Sequence, residues 1–109
     1  MSYSIIAVPK FIKELKRLVK KYPSLKTEFA ELAERLTENP RQGVPLGKNC
    51  YKIRISIQSK SGGKRGGARI VTHFAVVAST LYLLAIYDKS EVNNLSDKEL
   101  KELLDDIPE

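Results

Sequence analysis

The sequence is short of the groups that much enzyme chemistry relies on. It has one cysteine, Cys50, and one histidine, His73. A lone cysteine forms no internal disulfide, and a reducing cytoplasm is the expected setting. No Cys/His/Asp cluster has metal-ligand spacing, so neither a metal nor another cofactor is expected. No apolar run is long enough to span a bilayer, so no membrane contact is expected. The opening MSYSIIAVPK lacks the charged n-region and cleavage site of a signal peptide. The most informative shortage is of acid. Residues 40–87, 48 in all, carry eight Lys/Arg and no Asp or Glu. A stretch that long without a carboxylate suggests a surface for a polyanion.

The charge that is present is laid out in blocks. Residues 1–27 carry seven Lys/Arg and one acid, and residues 28–39 carry four Glu against Arg35. Residues 88–109 carry eight acids against three Lys, so the net +6 conceals strong segregation. The 109 residues fit one domain, 1–109, with no linker or internal repeat. A chain of this size buries roughly two-thirds of its unfolded surface, enough for a core without staples.

Hydrophobic spacing gives the elements. Ser4 to Val8 is a short apolar run, read as an edge strand, and Pro9 suits the first turn of a helix. Phe11, Leu15, Leu18 and Tyr22 recur at helical spacing among lysines. Pro23 and Ser24 break that helix, Ser24 is placed to cap a second, and Leu25, Phe29, Leu32 and Leu36 form its stripe up to Asn39-Pro40. Residues 40–49 read as a loop. Strands follow at 50–58, from about Ala68 to Val76, and from Thr80 to Asp88. The last is apolar on both faces, with Tyr82, Leu84 and Ile86 on one and Leu81, Leu83 and Ala85 on the other. Leu95-Ser96 opens a final helix carrying Leu100, Leu103, Leu104 and Ile107, which is available to cover the second face, as is a partner protein. The expected fold is α+β, a small antiparallel sheet packed on an N-terminal helical hairpin, in the order β-α-α-β-β-β-α.

The strand at 50–58 alternates, with Tyr51, Ile53, Ile55 and Ile57 on one face and Lys52, Arg54, Ser56 and Gln58 on the other. In the next strand Ala68, Ile70 and Phe74 share a face, and Arg69, Val71 and His73 share the opposite one. A common core requires even residues of the first strand to stand opposite odd residues of the second. Lys52, Arg54, Arg69 and His73 then lie on one face. Fixed cations beside a Gly-Lys-Arg loop suit phosphate, and clustering favours an uncharged lysine able to act as a general base. The bland reading is an exposed basic sheet, with Cys50 a structural thiol.

The stretches CYKIRI, GGARIV and LLAIYDKSE, with "NP" and "G…LG" ahead of them and a basic first helix, resemble the RelE/HigB-type toxins of bacterial type II toxin–antitoxin pairs. The resemblance covers nearly the whole chain. It implies a RelE-like fold and a metal-independent endoribonuclease, an mRNA interferase acting at the ribosomal decoding site. It implies attack of the RNA 2′-hydroxyl on the adjacent phosphate, and as partners a cognate antitoxin, the ribosome with its rRNA, and mRNA. By resemblance Lys52 is the base, Arg54 and Arg69 hold the phosphate, and Tyr87 and Lys89 complete the catalytic set. Lys48, Lys60, Lys64, Arg65 and His73 are expected to contact RNA. Well-known members place an Arg where this chain has Ser90, and a Tyr near the C-terminus that this chain lacks. Two other readings stay open: a ParE-like inhibitor of DNA gyrase, and a retired toxin that only binds RNA or an antitoxin. The acidic C-terminal helix reads as a solvated helix or as an internal shield over the basic site.

Overall fold

The computed structural model describes residues 3–59, 67–92 and 95–107. The elements run β1 (Ser4–Ala7), α1 (Pro9–Lys21), α2 (Leu25–Glu38), β2 (Val44–Gly47), β3 (Cys50–Ile55), β4 (Ala68–Ala75), β5 (Thr80–Asp88) and α3 (Asp97–Asp105). Five strands form one sheet in the order β1-β5-β4-β3-β2. Strands β2 to β5 pair antiparallel, while β1 runs parallel to β5, from Ser4 opposite Thr80 to Ala7 opposite Leu83. The sheet is therefore mixed, with the expected edge strand β1 in a direction that no hairpin turn announces in sequence.

Strand β2 corrects the reading of residues 40–49 as loop. Val44 stands opposite Lys52 and Gly47 opposite Cys50. Lys48 and Asn49 join the strands with φ of 54° and 59°. Two left-handed residues in a two-residue connection make a type I′ turn, here without the usual glycine. Pro45 is tolerated because β2 is an edge strand. Gly43 permits the approach to β3: its φ is +109°, and a Cβ there would lie 2.6 Å from the Lys52 carbonyl oxygen.

The sheet is covered on both faces. One face, with Ile53, Ile55, Ile70, Phe74, Leu81, Leu83 and Ile86, packs against Phe11 and Leu18 of α1 and Leu25, Leu32 and Leu36 of α2. The other, with Cys50, Val71, Tyr82, Leu84 and Tyr87, packs against Leu100, Leu103 and Ile107 at the C-terminal end. The apolar second face of β5 is thus covered from within the chain, by α3. This helix carries a reciprocal cap: Ser96 accepts from the Glu99 N–H, and the Glu99 side chain accepts from the Ser96 N–H. Ser24 stands at the α2 cap position without donating or accepting a side-chain capping bond. Its hydroxyl instead accepts from the Ser59 N–H at 2.8 Å, and Glu28 accepts from the Gln58 N–H at 2.7 Å, tying the exit of β3 to α2.

One irregularity decides which residues face the site. Val71 pairs with Ala85, but Thr72 pairs with Leu83, so Leu84 is an extra residue in β5. Such a bulge reverses the parity of the strand beyond it. Ile86 therefore joins Leu81 and Leu83 in the hairpin-side core, and not Tyr82 and Leu84 as simple alternation predicts.

Candidate nucleic-acid site

The register brings the cations together across three strands. Arg54 stands directly opposite Arg69, and Arg69 directly opposite Tyr87. Directly opposed Cα atoms lie about 4.5–5.5 Å apart, so the three side chains form one rung on one face of the sheet. Lys52 occupies the same face of β3, opposite Val71 and about 7 Å along the strand from Arg54. The expected pairing of even with odd residues holds. Gly67 makes the close approach at this end possible, since a Cβ there would sit 2.0 Å from the Ile55 carbonyl oxygen.

The rung is graded in depth. Arg54 is exposed and Lys52 half-buried, while Arg69 is 5% and Tyr87 7% exposed. This corrects the picture of three cations on an open sheet face. Arg69 and Tyr87 form its floor. The Arg69 guanidinium donates to the Ala68 carbonyl at 3.1 Å. Burial lowers its pKa, the Arg54 charge lowers it further, and Tyr87 opposes both. Burial raises the pKa of the Tyr87 phenol, against the pull of Arg69 and with help from Glu99. Its hydroxyl is buried and has no hydrogen-bond partner among the described residues. Because Tyr87 packs in the cluster with Leu100 and Leu103, it presents no open ring face for a base to stack on.

Lys89 follows at the end of β5. Its N–H donates to the Gly67 carbonyl at 3.0 Å, which extends the β4–β5 ladder by one bond. That bond continues the Ala68–Asp88 register by one residue past the strand, which puts Lys89 on the side of Tyr87. Ser90, at the position of the Arg that the resemblance leads one to expect, donates both its N–H and its hydroxyl to Asp88 Oδ1, at 2.9 and 2.8 Å. Asp88 itself is fully buried, and its Oδ2 accepts from the Tyr22 hydroxyl at 3.0 Å. Neither Asp88 nor Tyr22 was singled out by sequence. The available signal was an acid closing an otherwise apolar strand.

Other expected contacts lie elsewhere. His73 is on the same face as Arg69 but about 13 Å along β4. It lines a cavity of about 590 Å³ with Asn49, Phe74, Val77, Tyr82 and Ile107. Its Nδ1 is 3.5 Å from the Cys50 Sγ. That pair is not an activated nucleophile: burial pushes the Cys50 thiol up to about 11, against a smaller opposing effect of Lys48. Lys48 is exposed in the β2–β3 turn, beyond Cys50 from Arg54. Lys60, Lys64 and Arg65 lie outside the described residues. Among the described residues no group of three or more His, Cys, Asp or Glu is placed to hold a metal ion. Among the described residues no helix is long and apolar enough to cross a membrane.

Solved structures match this fold along most or nearly all of the chain. Escherichia coli RelE in the free state, carrying two arginine-to-alanine substitutions, superposes with a TM-score of 0.65 at 17% identity, covering 99% of this chain and 100% of that one. The fold is that of the RelE toxins. The isolated E. coli RelE toxin superposes at 0.60 and 15% identity, covering 97% and 100%. The E. coli RelBE toxin–antitoxin complex does so at 0.60 and 18%, covering 80% and 96%. No family model matches the sequence. The rung sets one exposed cation, Arg54, above a second, Arg69, in a low-dielectric floor, with the Tyr87 phenol beside it.

Proposed function

We propose that this chain is the toxin of a toxin–antitoxin pair and cleaves messenger RNA at the ribosome without a metal. The observation that carries the reading is the Arg54–Arg69–Tyr87 rung with Lys52 beside it, on a RelE fold. The partner seen in the RelBE complex supports a protein antitoxin as the inhibitor.

In this reading Arg54, the exposed member, contacts the scissile phosphate directly. Lys52 takes the proton of the 2′-hydroxyl as its oxygen bonds to phosphorus. The bond from phosphorus to the 5′-oxygen breaks, leaving a cyclic phosphate and a 5′-hydroxyl. Arg69, fixed beneath, offsets the negative charge that grows on the phosphoryl oxygens, and does so in a poorly screened setting. Tyr87 keeps its proton at neutral pH, because burial raises its pKa. Its hydroxyl is covered, so Tyr87 serves as a neutral floor to the rung, and the departing 5′-oxygen takes its proton from water. Lys89 flanks the rung and neutralises the next phosphate.

The test is tightly controlled expression in bacteria, with messenger ends mapped by primer extension and Arg69→Ala run alongside. In-frame cuts within translated regions, lost in a folded Arg69→Ala variant, are expected. Growth arrest without cuts refutes the nuclease reading and points to gyrase. Cuts that persist in the variant remove Arg69 from the site.

A further inference from the structure

The turn after β5 holds more hydrogen-bonding machinery than a turn requires, centred on a group that no catalytic step uses. Asp88 is fully buried at the end of an apolar strand. A buried carboxylate costs stability unless its oxygens are satisfied, and an apolar residue at such a site is often no less stable. Here both oxygens are engaged from two directions. Tyr22, at the end of α1, reaches Oδ2, and Ser90, two residues on, gives two bonds to Oδ1. The Asp88 carbonyl accepts from the N–H groups of Glu91 and Val92 at 2.9 and 3.0 Å. A second tie lies just outside. Glu91 accepts from Arg17 at 2.7 and 3.2 Å and pairs with Lys21 at 3.6 Å, both on α1. That exposed pair contributes little to stability, but it points the turn the same way as the buried one.

Between the two ties sits Lys89. Its backbone is pinned on one side by the bond to Gly67 and on both flanks by Asp88 and Glu91. We propose that Asp88, clamped by Tyr22 and Ser90, is a positioning residue that fixes Lys89 beside the Arg54–Arg69–Tyr87 rung. It acts on RNA only through Lys89. The inference rests on the nuclease reading for its consequence in cleavage, but not for the placement of Lys89 itself. It also gives Ser90 a role: its side chain is committed to the carboxylate, so it does not replace an arginine at the phosphate.

The test uses the full chain with Tyr22→Phe, Ser90→Ala, Asp88→Asn and Asp88→Ala, and two readouts. The first is the acetylation rate of Lys89 by acetic anhydride, which transfers acetyl to the amine and releases acetate, read by mass spectrometry against Lys20 on the exposed side of α1. The second is single-turnover cleavage on translating ribosomes across a range of ribosome concentrations. Loosening the clamp is expected to raise Lys89 labelling several-fold relative to Lys20. It is expected to lower the maximal cleavage rate by about 10- to 100-fold, the usual consequence of a misplaced group, with half-saturation changed less than about 2-fold. Asp88→Asn, which keeps one acceptor oxygen, should fall between wild type and Asp88→Ala. If Asp88→Ala fails to fold, Tyr22→Phe and Ser90→Ala carry the test. Unchanged Lys89 labelling in folded variants overturns the proposal. So does a loss of cleavage that simply tracks melting temperature. If the wild-type chain cleaves nothing, the nuclease reading falls, and the labelling still decides whether the clamp places Lys89.

Discussion

Replacing Arg54 by Gln should make the protein more stable and a poorer RNA binder at once. Arg54 faces Arg69 directly across the β3–β4 ladder, and the Arg54 charge helps lower the Arg69 pKa. Like charges directly opposed on a sheet destabilise by about 0.2–1 kcal/mol, so the neutral, shorter side chain should return that much. For a chain of this size that is a rise in melting temperature of about 1–6 °C. The binding arm is worked from the number of phosphate contacts. With Arg54, Arg69 and Lys89 each making one phosphate contact on a single strand, the affinity exponent in salt is about 2. Raising salt from 50 to 200 mM then weakens wild type by about 20-fold and the variant by about 7-fold. Thermal melts without nucleic acid and fluorescence anisotropy with a short single-stranded RNA over four salt concentrations measure the two arms. A variant that melts lower, or that keeps the wild-type salt exponent, would refute the reading of this rung as a phosphate site in which Arg54 and Arg69 repel each other.

Three further outcomes follow from buried groups. Tyr87→Phe removes a buried hydroxyl that has no partner among the described residues, so urea unfolding should show stability unchanged or raised by about 1 kcal/mol, with cleavage in the proposed reaction little changed; a clear loss of stability would reveal a hidden partner. Cys50, with its pKa raised from 9.0 to about 11, should hold about 100-fold less thiolate at pH 8 than an ordinary cysteine and react with Ellman's reagent only on unfolding. Because the folded pKa is the higher one, the thiol's contribution to stability is complete below pH 9 and is lost between pH 9 and 11, so alkaline unfolding of Cys50→Ala should be less steep across that window. Gly67→Ala places a methyl group 2.0 Å from the Ile55 carbonyl oxygen and should cost about 1–3 kcal/mol in chemical denaturation, with β3 and β4 forced apart at the rung; a neutral effect would show that the strands there are looser than their register implies.

Much of this was legible in sequence, and what was not has identifiable physical causes. The alternation of Lys52 and Arg54 with Ile53 and Ile55 fixed the parity of β3 against β4, because the two strands have to share one core. The helical stripes of α1, α2 and α3 were legible for the same reason. Strand β2 was hidden because Gly43, Pro45 and Gly47 read as punctuation, and because its turn uses Lys48-Asn49 where glycine is usual. The direction of β1 was hidden because its partner β5 lies some 75 residues on and no local turn links them. The depth of the site was hidden because period-two alternation reports which face a residue takes and not how deeply it is covered. Arg54 and Arg69 have the same parity relation to the core, yet one is exposed and the other 5% exposed. The Asp88 clamp draws on α1, β5 and the following turn, so no window of sequence contains it.

The bulge at Leu84 ties these points together. Before it, the even residues Tyr82 and Leu84 share the face of Arg69; after it, the odd residue Tyr87 does. Had β5 kept strict alternation, Ile86 and Asp88 would occupy that face and Tyr87 would point into the hairpin-side core. Asp88 is the first carboxylate after the 48 acid-free residues, and it would then stand beside Arg69 and neutralise it. One inserted residue sends that acid to the opposite side, where Tyr22 and Ser90 satisfy it, and brings a neutral phenol to the rung in its place. The basic character of the face therefore depends on backbone register as much as on composition. An acid-free stretch supplies the cations, and the bulge keeps the next acid from cancelling them.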